Sequence, residues 1–142
     1  RGRSLIKLGK NVKAARDLTK VIEADPENVQ ALISRGAAYA RGNAGSRAIK
    51  DFDRALAIDP TLSVAYFNKG MVFFVYENFD EAAENFDKAI ALNEDYAEAY
   101  TRRGMSKMQS KWFSLAEACT DFRKGDDLED LLATEYVKRY CE

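Results

Sequence analysis

The residues of this chain with chemical potential are its hydroxyls, its carboxylates, one glycine-rich loop and two cysteines, and none has the neighbours that catalysis needs. Histidine is absent, which removes the commonest general base and the commonest metal ligand together. The serines and threonines therefore have no imidazole to activate them, and no nucleophile elbow surrounds any of them. Carboxylates gather at Glu77, Asp80, Glu81 and Glu84, around a helix start, where negative charge complements the backbone dipole. The loop Gly42-Asn43-Ala44-Gly45-Ser46 has the residue types of a phosphate cradle but not the GxxxxGK[ST] order; it reads as a turn. Cys119 and Cys141 lack a CxxC spacing, which predicts neither a zinc site nor a disulfide framework and makes a reducing compartment the default. No enzyme activity, metal or cofactor is expected.

The elements that position these residues announce themselves by repetition. Arg1-Gly2, Arg35-Gly36, Lys69-Gly70 and Arg103-Gly104 recur at a spacing of 34 residues. Ala31, Ala65 and Ala99 align in the same register, as do Ala14, Ala48 and Ala82, and segments end in Asp25-Pro26, Asp59-Pro60 and Asn93-Glu94. Apolar residues fall at helical spacing within each segment. Glycine inside a helix costs about 1 kcal/mol relative to alanine, so its recurrence implies two helix backbones in close approach. Ala48 with Ala55, and Ala82 with Ala89, are expected to face the glycines, while Tyr39, Phe52, Phe73 and Phe86 fill the remaining space. Proline disfavours helical geometry in the residue before it and so ends the second helix of a pair. The pattern predicts helices near 1–8 and 12–24, then pairs near 28–41 with 45–57, 62–76 with 79–91, and 96–109 with 113–125.

The last copy departs from this register. Strict spacing would put Thr120 and Arg123 into the interface between helices; a shift of two residues restores Ala118, Phe122 and Gly125, which implies an insertion around Ser110 to Ser114. Trp112 and Phe113 are expected to tuck into the core beneath that loop. Lys107 stands where Tyr39 and Phe73 stand earlier, predicting a less well packed pair. From Asp126 to Tyr140, Leu128, Leu131, Leu132, Tyr136 and Tyr140 recur at helical spacing, as in a helix that caps the apolar end of a repeat stack. The register divides the chain into a partial repeat at 1–28, repeats at 29–62 and 63–96, an irregular repeat at 97–127 and a capping helix at 128–142. Arg1 falls inside a helix, so the chain reads as a fragment of a longer one.

Composition agrees with one domain: 142 residues, 46% apolar, with a net charge of −1. Charges of both signs are interspersed, leaving no footprint for nucleic acid. No apolar run approaches the roughly 20 residues a spanning helix needs, so no membrane association is expected and the chain reads as soluble and cytoplasmic.

Leu32-x2-Arg35-Gly36-x2-Tyr39, Ala48-x3-Phe52 and Pro60 resemble the tetratricopeptide repeat pattern, as do Tyr66-x2-Lys69-Gly70-x2-Phe73 with Ala82-x3-Phe86 and Tyr100-x2-Arg103-Gly104 with Ala118-x3-Phe122. The resemblance spans about residues 1–128. It implies an all-α fold, a right-handed superhelix (α-solenoid) of antiparallel helix pairs with a C-terminal capping helix. It also implies a non-catalytic protein-protein interaction scaffold, whose first helices line a concave groove that binds a peptide with apolar anchors. On those helices the groove residues are Ile33, Arg41, Phe67, Asn68, Met71, Phe74, Arg102, Met105 and Met108. One branch of the family grips chaperone C-terminal tails with a clamp of lysines, asparagines and arginine. Ile33, Ala37, Asn68, Glu98 and Arg102 occupy the matching positions, and only Asn68 and Arg102 agree. Glu98 would repel the carboxylate, so a chaperone tail is disfavoured. The alternatives are a structural or self-association segment of a longer array and a regulatory module attached to an enzyme elsewhere in the parent chain.

Overall fold

Turn residues decide where each helix begins and ends. The computed structural model describes residues 2–142, so Arg1 and its place in the repeat lie outside the described residues. The helices are α1 (Gly2–Ala24), α2 (Val29–Arg41), α3 (Gly45–Ile58), α4 (Ser63–Val75), α5 (Phe79–Leu92), α6 (Ala97–Gln109), α7 (Leu115–Asp127) and α8 (Leu131–Tyr140), with no strand among the described residues. The fold is all-α, of the helical-repeat solenoid class. Between pairs, the side-chain oxygens of Asp25, Asp59 and Asn93 each accept the amide two residues on, at 3.3, 3.0 and 3.2 Å. These local turns stop one helix and aim the next. Asn28 caps α2 by accepting from the Ala31 amide at 3.0 Å, and Ser114 caps α7 by accepting from Glu117 at 3.2 Å. Within pairs, Asn43 and Glu77 both take a left-handed φ of 62°, one repeat apart.

The chain forms two compact units that meet within α4, one running to Asn68 and the other from Lys69 to Glu142. In the first, α1 packs on α2 and α2 on α3. The Phe52 ring lies over Gly36, where an added Cβ would meet its Cε1 at 2.6 Å. The second unit repeats this: Phe86 lies over Gly70 at 2.6 Å and Phe122 over Gly104 at 2.7 Å. All three phenylalanines are fully buried. It is therefore an aromatic ring, not the alanines alone, that faces each glycine. The step from Gly104 to Phe122 is two residues longer than its predecessors, as the insertion requires.

An ion pair sits beside each outer ring. Arg35 donates to both oxygens of the buried Asp51 at 2.8 and 2.7 Å, and to the Thr19 hydroxyl at 3.1 Å. Hydrogen bonding to Asp51 holds Arg35 above its ordinary pKa. Arg103 grips Asp121 the same way at 2.9 and 2.7 Å and reaches Asp87 at 2.8 Å. Burial is the largest single influence on the Arg103 pKa and lowers it, but the hydrogen bonds and charges of Asp121 and Asp87 together hold it above its ordinary value. Lys107 adds a second cation on Asp121 at 3.1 Å, so it completes a buried cluster and is not the packing fault the sequence suggested. Asn85 holds the corresponding place in the middle pair, buried, and donates to the Glu81 carbonyl at 2.9 Å.

Four expectations need correction. Residues 2–24 form one helix, not two: Gly9 aligns with Asn43 and Glu77 but does not take their left-handed φ, and without that turn the helix runs through. Trp112 is 71% exposed, its ring beneath Lys111 at 5.1 Å, while only Phe113 is half-buried. The loop lays Trp112 and Phe113 beside Asp80, Ala83, Glu84 and Asp87 of α5, a largely charged surface and not the apolar core. The capping helix starts at Leu131, because α7 continues to Asp127 and Glu129 turns the chain at φ 70°. Cys119 and Cys141 form a disulfide, with Cα atoms 5.7 Å apart. Sequence spacing did not show it, because α8 returns antiparallel and brings residue 141 back to α7.

Candidate functional site

Within the second unit a cavity of about 330 Å³ opens beside the last turn of α4. Phe74 and Val75 of α4, Phe79 of α5, Met105, Met108 and Gln109 of α6, and Tyr136 and Tyr140 of α8 line it, with Glu77 at the turn. α6 and α8 present residues three or four apart, Met105 with Met108 and Gln109 and Tyr136 with Tyr140, which puts each set on one face. Phe74 meets Phe79 edge to face at 5.4 Å, fixing the ring that forms the floor. The guanidinium of Arg102 lies over the Phe74 ring, 5.7 Å from its centre, with Nη1 4.0 Å from the Met105 sulfur. Among the described residues no carboxylate comes within ion-pair distance of Arg102. A half-buried cation thus stands at the rim of an apolar cavity without its counter-charge.

Of the residues read from the sequence, Phe74, Arg102, Met105 and Met108 are brought together here, and Met71 lies one turn back on α4, half-buried. Ile33, Arg41, Phe67 and Asn68 belong to the first unit. There Ile33 and Phe67 are each 8% exposed, Asn68 is half-buried and Arg41 exposed. Sequence reasoning missed Phe79, Tyr136 and Tyr140 as lining. The tyrosines were legible only as an apolar stripe on a cap; their spacing of four residues was the signal that they share a face.

α8 is locked at its start. Ala133 packs on Gly125 so closely that an added Cβ there would come within 2.8 Å of it. The buried Thr101 hydroxyl donates to Asp130 at 2.5 Å, and Thr134 donates to Asp126. Further along, Tyr136 stacks on Phe122 at 4.8 Å. The wall of the cavity is therefore continuous with the repeat core.

Helix pairs built on one glycine-ring contact, with apolar side chains left open on first helices, define a helical-repeat protein of the protein-interaction class. Two tetratricopeptide repeat family profiles match the sequence, at residues 1–63 and 63–96, and the chain belongs to the tetratricopeptide repeat superfamily. No curated protein sequence matches it. Among solved structures, the crystal structure of MamA is similar with 28% identity and a TM-score of 0.76, covering 85% of this chain and 70% of that one. The first repeat domain of Spaghetti (RPAP3) bound to the HSP90 peptide SRMEEVD has 26% identity, a TM-score of 0.74, and coverage of 82% and 93%. The second repeat domain of human RPAP3, in complex with the HSP70 peptide SGPTIEEVD, has 25% identity, a TM-score of 0.69, and coverage of 76% and 90%. Among the described residues no helix is long and apolar enough to cross a membrane.

Proposed function

We propose that this chain is a non-catalytic scaffold that captures an apolar peptide segment bearing an acidic residue, in the groove formed by Phe74, Arg102, Met105 and Met108. One observation carries the reading: Arg102 stands unpaired over Phe74 at the rim of a cavity lined by aromatic and thioether side chains. Methionine adapts to anchors of varied shape, and burying one such anchor contributes about 1.5–3 kcal/mol. Two anchors and an ion pair reach micromolar affinity after ordering costs, since about 8 kcal/mol corresponds to that range. Met71 extends the surface along α4 within the second unit.

Two structural relatives are complexes with chaperone-tail peptides, which weighs in favour of testing such a tail although Glu98 opposes it. The experiment titrates two fluorescein-labelled peptides by anisotropy: an amidated hexamer leucine–phenylalanine–glutamate–alanine–leucine–phenylalanine, and SRMEEVD. We expect micromolar binding of the hexamer, lost in Phe74→Arg and weakened about tenfold in Arg102→Gln, with weaker binding of SRMEEVD. Equal affinity of wild type and Phe74→Arg for the hexamer refutes the groove. Leu131, 83% exposed, gives self-association a surface as the second reading, and a constant monomer mass in light scattering across concentration refutes it.

A further inference from the structure

We propose that the Cys119–Cys141 disulfide is a redox latch that sets the affinity of the groove by holding its α8 wall in place; this rests on the groove reading above. The two halves of α8 are fastened by different means. Its first half is anchored without the disulfide, through Ala133 on Gly125, Thr101 on Asp130 and Thr134 on Asp126. Its second half carries Tyr136 and Tyr140, which line the cavity opposite Phe74, Met105 and Met108. Beyond the Tyr136 stack on Phe122, the last turn is tied to α7 by the disulfide and by one exposed hydrogen bond, from Arg123 to the Cys141 carbonyl at 2.8 Å; within α8, the Tyr140 ring lies 5.6 Å from that of Tyr136 and the Cys141 amide donates to the Val137 carbonyl at 2.9 Å. Lys138, Arg139 and Tyr140 are exposed.

A terminal turn with little burial opens at small cost. The covalent tie to Cys119, which is 4% exposed on α7, removes that freedom. Cys141, the less buried sulfur of the pair, is the point of attack for a dithiol reductant. A reductant thiolate bonds to the Cys141 sulfur, and Cys119 leaves as a thiolate and takes up a proton. The reductant's second thiol then displaces Cys141, which is protonated in turn, so two electrons pass to the protein and the reductant ends as its own disulfide. The last turn of α8 then frays, and Tyr140 withdraws from the groove. Exchange with an oxidised dithiol, which takes up the two electrons and two protons as its own disulfide is reduced, re-forms the Cys119–Cys141 bond and restores the wall.

The experiment compares oxidised protein, dithiothreitol-reduced protein and Cys141→Ser by amide hydrogen exchange and by titration of the hexamer. We expect exchange at residues 137–141 to quicken at least tenfold in the reduced protein and in Cys141→Ser, while residues 131–134 and α6 stay protected, and the hexamer to bind at least fivefold more weakly. Unchanged exchange at 137–141 overturns the latch. Faster exchange with unaltered hexamer affinity overturns control of the groove. Loss of protection throughout α6 and α7 also overturns the proposal, since the disulfide would then be holding the fold. A hexamer that binds neither form refutes the groove reading, and the exchange data still decide the latch.

Discussion

Replacing glycine by alanine should have opposite effects at two helical positions of this chain. At Gly70 the new methyl would lie 2.6 Å from Cε1 and 2.8 Å from Cδ1 of Phe86, a ring with no exposed surface and no room to retreat. Overpacking of this kind costs about 1–3 kcal/mol. Better helix propensity offsets about 1 kcal/mol of it, leaving a net loss of up to about 2 kcal/mol. At Gly9, within α1, nothing lies within 4 Å of the added methyl, so only the propensity gain remains, about 1 kcal/mol. For a chain of this size 1 kcal/mol moves the melting temperature by about 3 °C. Thermal melts followed by circular dichroism should therefore show Gly70→Ala several degrees below wild type and Gly9→Ala a few degrees above it. If both variants shift in the same direction, the repeated glycine is not a steric requirement of ring packing. Gly104→Ala, with Phe122 at 2.7 Å, should follow Gly70→Ala.

Asp121→Asn leaves Lys107 beside a neutral amide and Arg103 with only the exposed Asp87. Breaking a buried pair in this way costs about 3–5 kcal/mol, and urea denaturation should show a larger loss than for Asp51→Asn, which strands only Arg35; equal losses would refute the role of Lys107. Glu77→Gly relieves a left-handed backbone at φ 62° and should stabilise by roughly 0.5–1 kcal/mol, read as a higher urea midpoint. Tyr96 has its pKa pushed up to about 12, first by burial and then by Glu98. The unfolded chain ionises near 10, so the native state holds its proton longer. The contribution of Tyr96 is thus full below pH 10 and is lost as pH rises towards 12. Alkaline unfolding of Tyr96→Phe should lack that part of the pH dependence, and identical profiles would refute the burial effect.

Most of the architecture was legible because its cause is periodic. The glycine, the phenylalanine sixteen residues later and the Asp-Pro turns are local signals repeated in register, and the two-residue insertion was found because Ala118 and Phe122 restored that register. What escaped notice depends on contacts between segments distant in sequence. The buried pairs Arg35–Asp51 and Arg103–Asp121 were written in the dipeptides Arg-Gly and Asp-Phe, but the glycine and phenylalanine drew the attention. α1 was read as two helices, near 1–8 and 12–24, whereas the turn between the helices of a pair depends on a left-handed φ that sequence does not display. Of the cavity in the second unit, first-helix positions gave Phe74, Met105 and Met108, with Arg102 beside them, while the α8 wall needed the return of a helix whose direction the sequence does not fix.

The irregular end of the chain shows why departures from the repeat need not be defects. The insertion ahead of α7 shifts Asp121 along with Phe122, so the ring still meets Gly104 and the carboxylate still meets Arg103. Lys107 replaces an aromatic residue and finds a charge in Asp121. Thr101, fully buried on α6, has Asp130 from the turn before α8 as its partner. Gly125, where the previous repeat has Ala89, opens the space that Ala133 enters. Each change suits a repeat that packs against α8. The side chains that seal the core on one side of α8 leave Tyr136 and Tyr140 to bound the cavity beside it. The position of α8 thus sets one wall of the cavity, and if the cavity is the peptide groove proposed above, Gly125→Ala should lower hexamer affinity in the anisotropy titration through the position of α8; unchanged affinity would refute that link.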